Sequence, residues 1–485
     1  MTFNSWEFLI FYPIVALLYF CLPKKLKWPM LLCASYYFYA FYQADLLFLI
    51  VTTTVISWVA SNVIDRTKNE KLKKVMLAIT LVVCLGVLFF YKYFNFLAGS
   101  VVSIINMLGG EAPPVVLNLI LPVGISFYTF QTLSYVIDVY RGDIKTEKNL
   151  FFYALFVSFF PQLVAGPIER PDNLVPQLRE SHKWNNENAV KGAKHMLVGF
   201  FKKICVADLI SIYVNAIYND VESATGFGVI IATALFAVQI YCDFSGYTDI
   251  ATGCARIMGI KLMKNFDHPY IATTIKEFWG RWHISLSSWF KDYLYFPLGG
   301  SRCSKGRHLF NLMVVFLVSG FWHGAAWTYV IWGALHGIYQ IFGVLTLKSR
   351  NNLLKKMHLD PASKLVTWVR RFNTFVLVCL SWLFFRANNT GEAIHLFRTL
   401  FTGWDTGLAQ TLEIMGLGTV QILMCISSIL VLTMIDRLLT YDDEPDGSLV
   451  LVDKGRFVYF AWIILLCWTL LLSKDMASTF IYFQF

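Results

Sequence analysis

The sequence predicts an all-α polytopic membrane protein of about a dozen transmembrane or re-entrant helices, and three observations carry that prediction. Of 485 residues, 57% are hydrophobic and only 15% are charged, against about 45–50% and about 25% in a soluble domain. Apolar runs recur at the length of about 20 residues that crosses a hydrocarbon core of roughly 30 Å. The basic residues behind the net charge of +10 gather in short loops between those runs, the pattern of loops retained on the cytoplasmic side. A nucleic-acid binder would instead concentrate its cations on one face. Nucleic acid is therefore excluded as a partner, and the lipid bilayer is the expected one.

The chain reads in order as follows. Trp6–Leu22 is a first span. It lacks the basic start and small-residue cleavage site of a signal peptide, so it is expected to be retained. Lys24, Lys25 and Lys27 follow it and put the N-terminus outside. Met30–Tyr42 returns outward, Leu46–Ile64 comes back, and Arg66 to Lys74 forms the next basic loop. Val75–Leu97 exits, Pro113 and Pro114 mark an outer loop, and Leu117–Tyr140 re-enters. Phe151–Ala165 is short and interrupted by PQLVAGPIERP, with basic residues on both sides, so a re-entrant element is expected. Met196–Tyr218 and Phe227–Ile250 form the next pair of spans. Residues 251 to 308, rich in Lys and Arg, belong inside, and within them 272–307 is an amphipathic segment. Leu309–Leu347 reads as a helix pair turning near Trp322–Trp327. Phe372–Phe385, Met415–Ile435 and Val458–Leu472 complete a single integral membrane domain spanning 1–485. No internal repeat is visible, which speaks against an inverted-repeat transporter.

Polar groups inside apolar runs are costly and mark pathways or sites. His323 stands at a glycine-flanked interruption, with Ser319 one turn earlier on the same face and Gly320 reading as a lining of the passage. It is either a structural histidine bonded across helices or a functional one. His336 lies in the more regular half of the pair and reads as packing. On a helix over Lys276–Tyr293, Phe278, Trp279, Trp282, Leu286, Trp289, Phe290 and Tyr293 share one face. Arg281, Lys291 and Asp292 fall on the other, and His283 lies at the border. An interfacial helix accounts for that pattern, and a border histidine facing an acyl donor accounts for it equally. Asp243 either orients a histidine or caps a helix broken near Gly246, and Asp249 lies at the same inner end. Gln131 and Asp138 add polar groups to a further span. The ten cysteines mostly sit within apolar runs without CxxC spacing, as buried apolar side chains rather than metal ligands. No metal site is expected.

Five blocks, FFPQLVAGPIER, YCDFSGYTDIATGCARIMG, RWHISLSSWFKDYLYFPLGGSR, GFWHGAAWTYVIWGALHG and the ending FIYFQF, resemble the membrane-bound O-acyltransferase superfamily. The likeness is strongest to its bacterial alginate O-acetylation branch, with the teichoic acid D-alanylation protein as a cousin. The resemblance implies many helices around a central tunnel, with His323 as the catalytic histidine and His283 in the second histidine block. It also implies acyl transfer from a cytoplasmic thioester, on CoA or an acyl-carrier protein, to an extracytoplasmic hydroxyl in the cell membrane. The donor is a substrate, and no permanently bound cofactor is implied. A separate extracytoplasmic hydrolase-like acetyltransferase is the implied partner.

A neutral imidazole, with an ordinary pKa of about 6.5, suits the deprotonation of an attacking hydroxyl. His323 is thus expected as general base, with His283 positioning donor or acceptor. Lys291, Arg281, Asp243, Trp322, Trp327, Ser319 and Gln131 are the candidate donor- and substrate-binding groups. A small-molecule transporter using the same Asp and His groups as a proton relay is the competing class. The span count places Lys24–Lys27, Arg66–Lys74 and Arg302–Arg307 together on the cytoplasmic side. A single cysteine in any of these loops, on a background lacking the native cysteines, is expected to resist an impermeant thiol reagent in intact cells. Strong labelling of one of the three overturns the span count.

Overall fold

A computed structural model describes residues 1–441, 449–451 and 462–469. Helix dominates. The strand pairing among the described residues is a short antiparallel match of Leu439–Tyr441 with Leu449–Leu451. Six helices there are long and apolar enough to cross a membrane: Ala44–Arg66, Glu70–Met107, Gly226–Ile257, Trp327–Lys356, Lys364–Arg386 and Thr419–Asp436. The helical multi-pass reading therefore holds. Helix is the expected form here because a bilayer offers no water to unbonded peptide groups. Helix starts are finished by side chains: Ser5, Asn69, Asn149, Ser304 and Ser363 each accept from a first-turn backbone N–H.

The chain forms two compact units, of which the first is Met1–Met196 with Tyr247–Met263. Its opening helices, Trp6–Cys21, Lys24–Gln43 and Leu47–Arg66, cover the expected spans, except that Lys24–Lys27 forms the first turn of the second helix rather than a loop. Two further expectations change. Val75–Leu97 is the middle of a longer helical run from Glu70 to Met107, which passes through a π turn at Phe89–Tyr93. Leu117–Tyr140 is helical only as Ile125–Arg141, because Pro122 and the left-handed Gly124 (φ +74°) stand before it. Leu150–Ser158 has nine residues, roughly 14 Å of helix, too short to cross a core of roughly 30 Å.

The buried C-terminal end of that short helix explains Gln131. The Phe156 carbonyl, one of the last four and so without a helical partner, accepts from Gln131 Nε2 at 2.7 Å and Gln162 Nε2 at 3.2 Å. Gln131, a candidate substrate ligand in the sequence, is committed to closing a helix end. The proline-rich element that follows is anchored by Glu169, which is fully buried. Its carboxylate accepts from the Met263 N–H at 2.5 Å and from Asn173 Nδ2 at 2.7 Å, and burial pushes its pKa up to about 7.

The second unit comprises Leu197–Gly246 and Lys264–Phe485. Gly226–Ile257 runs unbroken through Gly246, contrary to the expected break. A Cβ at Gly246 would stand 2.8 Å from the Gly199 carbonyl and 3.2 Å from Lys202 Cβ, so the glycine serves close helix approach. Lys276–Tyr293 is also not one helix. It divides into Ile275–Arg281 and Ile284–Phe290, separated at Trp282–His283, with a π turn over Lys291–Tyr295. Phe278, Trp279, Trp282, Leu286, Trp289 and Phe290 are buried by protein, which replaces the interfacial-helix reading.

The expected pair over Leu309–Leu347 is present as Lys305–His323 and Trp327–Lys356, turning through Gly324 to Ala326. The Thr390–Thr402 and Leu408–Ile414 helices were not anticipated. The former carries Glu392, His395 and Arg398 among its apolar residues, which hides it from a search for spans. Val458–Leu472 is described only over 462–469, where it is helical, and the FIYFQF ending lies outside the described residues.

Gly320 faces its sister helix rather than a passage. A Cβ there would lie 2.3 Å from the Tyr329 carbonyl and 3.1 Å from Gly333 Cα, and both neighbours are backbone. Gly320→Ala is therefore expected to destabilise the protein by about 1–3 kcal/mol through overpacking, read as a lowered unfolding temperature in detergent. An unchanged unfolding temperature would contradict this close crossing.

Candidate active site

The site begins with the break at Trp282–His283 in the second unit. Asn265 and Asp267 lie alongside it: the Ile284 N–H donates to the Asn265 carbonyl and the Asp267 N–H to the Arg281 carbonyl, each at 2.9 Å. The Asn265 side chain completes the junction. Its Oδ1 accepts from the Ser285 N–H at 3.2 Å, from Ser285 Oγ at 2.9 Å and from His283 Nδ1 at 3.1 Å. His283 sits in the left-handed region (φ 45°, ψ 54°), which costs a non-glycine residue roughly 1–2 kcal/mol. Its ring is fully buried, and that burial pushes its pKa down to about 3.

His323 ends the Lys305–His323 helix and is also buried. Its ring lies 6.5 Å, centroid to centroid, from that of His283. Aromatic side chains surround the two imidazoles. Trp332 stands 4.9 Å, Trp322 5.1 Å and Phe385 5.5 Å from His323, while Phe244 stands 4.7 Å and Trp322 6.1 Å from His283. Trp322 thus touches both. Ser319 is buried one turn before His323.

His336, by contrast, has both ring nitrogens engaged. An indole N–H only donates, so Trp279 Nε1 fixes His336 Nδ1 as an acceptor at 3.2 Å. Nε2 then carries the proton and donates to Ser381 Oγ at 2.8 Å, and that hydroxyl donates to the Val378 carbonyl at 2.7 Å. This closed chain is structural, in keeping with the packing reading.

Several other candidates are committed elsewhere. Asp243 caps no break, since its helix runs on through Gly246, and it is engaged by Lys203, whose Nζ lies 2.6 Å from its carboxylate and 2.9 Å from that of Asp208. All three side chains are buried. Arg281 pairs with Glu277 at 3.1 Å and with Asp267 at 3.5 Å. Lys291 is exposed, its ammonium 5.5 Å from the Phe296 ring. Trp327 is 52% exposed at the start of its helix.

Sequence reasoning missed Asn265, which lies in a short loop and carries no motif of its own. It also missed Lys203 and Asp208, whose signal was present as charges inside the apolar run Met196–Tyr218. A third feature is visible only in three dimensions. The indole N–H groups of Trp282, Trp332 and Trp382 are buried without a hydrogen-bond partner among the described residues. Their rings form a chain, 5.8 Å from Trp332 to Trp382 and 5.1 Å from Trp382 to Trp282.

Among families of known proteins, the membrane-bound O-acyltransferase family matches residues 144–384, a stretch that includes both histidines. A protein of Azotobacter vinelandii named a probable alginate O-acetylase is 38% identical over 84% of this chain and 80% of its own length. A Helicobacter pylori peptidoglycan O-acetyltransferase is 34% identical over 82% of this chain and 79% of its own. A Bacillus subtilis teichoic acid D-alanyltransferase is 30% identical over 57% of this chain and 71% of its own.

The buried Lys203 cluster makes a prediction about stability. Lys203→Met removes the cation from between two buried carboxylates, a change expected to cost about 3–5 kcal/mol. Thermal unfolding in detergent should show the loss, and Asp208→Asn/Asp243→Asn added to it should recover part. Wild-type stability of Lys203→Met would mean that the cluster is solvated.

Proposed function

The chain belongs to the membrane-bound O-acyltransferase family, and from that premise we propose that it takes an acyl group from a cytoplasmic thioester and passes it across the membrane for O-acylation of an extracytoplasmic polysaccharide, with His323 as general base. The acyl group is acetyl in this reading. The relatives named for O-acetylation match over four-fifths of the chain, whereas the D-alanyltransferase matches over 57% at lower identity. The observation that carries the assignment to His323 and His283 is their meeting, rings 6.5 Å apart, inside a protein-covered aromatic enclosure.

The chemistry follows from those surroundings. His323 takes the proton of the attacking hydroxyl as its oxygen bonds to the thioester carbon. The carbon–sulfur bond then breaks, and the imidazolium returns the proton to the departing thiolate. Base catalysis of this kind is typically worth about 10²–10⁴-fold in rate. The developing oxyanion needs pre-placed donors, and the indole N–H groups of Trp282, Trp332 and Trp382 are candidates because no described residue accepts from them. His283 positions one of the reactants. Trp322 and Ser319 line the enclosure, whose aromatic walls keep water from hydrolysing the acyl group.

The carrier, CoA or an acyl-carrier protein, stays outside the hydrocarbon layer because burying its phosphates unpaired costs many kcal/mol. Only its thin arm reaches the histidines, through a narrow passage that continues to the acceptor side. Lys291 is the more exposed cation of the two docking candidates, since Arg281 is held by two carboxylates. A separate extracytoplasmic protein receives the acyl group or hands it on to the glycan.

His323→Ala is expected to abolish glycan acylation in cells while leaving expression and unfolding temperature unchanged. The barrier should rise by roughly 3–5.5 kcal/mol. Wild-type acyl content with a well-folded variant would remove His323 from the mechanism.

A further inference from the structure

We propose that Asn265 is a positioning residue that locks His283 as the Nδ1–H tautomer, so that His283 meets the hydroxyl acceptor and not the thioester carbonyl. The proposal rests on the reading of His323 and His283 as the acyl-transfer site and assigns the second histidine its side of the reaction.

The hydrogen bonds decide the tautomer. The Ser285 backbone N–H can only donate, so the Asn265 atom that it reaches at 3.2 Å is the amide oxygen. That same oxygen faces His283 Nδ1 at 3.1 Å. An amide oxygen cannot donate, so Nδ1 carries the proton, and in the neutral ring the lone pair is on Nε2. Burial keeps the ring neutral. A neutral Nδ1–H imidazole offers its substrates one acceptor and no donor. It cannot bond to a carbonyl oxygen or to the oxyanion that forms there. It can bond to a group bearing a proton, and on a glycan acceptor that group is a hydroxyl beside the attacking one, whose own proton goes to His323.

The strained backbone at His283 supports the assignment. A left-handed, fully buried histidine is retained although its φ of 45° is unfavourable, because the Asn265 junction fixes the backbone and the ring together. Histidine tautomers set by a partner on the far nitrogen are a recurrent orienting device. Among the described residues, the following side chains face His283 or stand beside those that do. His323 faces it from the Lys305–His323 helix. On the Gly226–Ile257 helix the facing side chain is Phe244, with the neighbouring Asp243 carboxylate 2.6 Å from Lys203. On its own loop Asn265 and Phe266 face it, while Asp267 is bonded to His268 and Arg281.

The test uses four variants and one spectrum. With ¹⁵N-histidine in the full-length protein in lipid nanodiscs, His283, identified by its loss in His283→Gln, should show a protonated Nδ1 and a bare Nε2 at neutral pH. A bare Nδ1, or an imidazolium, overturns the proposal whatever the activity. Asn265→Leu removes the acceptor, and cellular glycan acylation should fall about 10–100-fold, as for other orienting partners. Asn265→Asp keeps the acceptor and should restore most of that loss. It also adds an anion that raises the His283 pKa, so acylation by this variant should decline as pH falls through the new value. The wild type lacks that limb because its His283 stays neutral. Asn265→Leu with full acylation, or a folded Asn265→Asp as inactive as Asn265→Leu, contradicts the proposal. Full acylation by both His323→Ala and His283→Gln would instead sink the underlying site assignment, leaving the tautomer result standing by itself.

Discussion

One amide oxygen holds the second unit's active region in register. Asn265 Oδ1 accepts from a backbone N–H, a hydroxyl and an imidazole at once, and the backbone beside it bonds to Ile284. Without that junction, Lys276–Tyr293 has every sequence reason to continue as one amphipathic helix. With it, the chain stops at Trp282, turns left-handed at His283 and starts again at Ile284. The turn carries the histidine inward, into aromatic contact with Trp322 and Phe244. It also places the ring 6.5 Å from His323.

A membrane matrix makes polar side chains declare their purpose, because an unsatisfied one is costly there. In the second unit two such groups are held by neighbouring side chains. Lys203 lies between the carboxylates of Asp208 and Asp243. His336 is spent between Trp279 and Ser381. Each has the mark of structure, with charges paired or donors matched to acceptors. His283 differs in kind, since its bond to Asn265 uses Nδ1 and sets the character of the other nitrogen. The three indole N–H groups of Trp282, Trp332 and Trp382 differ too, as buried donors that no described residue accepts. Native proteins keep few such groups, and functional sites are where they concentrate.

The class was legible from composition, and the helix pair from an apolar run broken by glycine around His323. The broken pair is present with its turn where the run is interrupted. Of the residues that periodicity grouped on one face, Phe278, Trp279, Trp282, Leu286, Trp289 and Phe290 are buried and Tyr293 is half-buried. Periodicity could not show that the helix breaks in their midst, because that break is imposed by Asn265, remote in sequence. Gly246 and Gly320 read as breaks or linings for the same reason. A glycine in an apolar run signals either a break or a close neighbour, and only the Gly199 and Tyr329 carbonyls beside them decide it. Asp243 and Gln131 were visible as polar groups in spans, but their partners, Lys203 and the Phe156 carbonyl, lie on other helices. Trp327 lies just beyond the turn and is half exposed, although Trp322, His323, Thr328 and Tyr329 in the same motif are buried.

The account stands on His283 and His323 acting on one reaction from two sides of one enclosure. A double-mutant cycle on glycan acylation tests this most directly, comparing His283→Gln, His323→Ala and the combined variant at matched expression and stability. Residues that act as a unit are strongly non-additive. The combined variant should therefore lose no more than about as much as the worse single one. Losses that multiply would show two independent contributions and contradict a shared site.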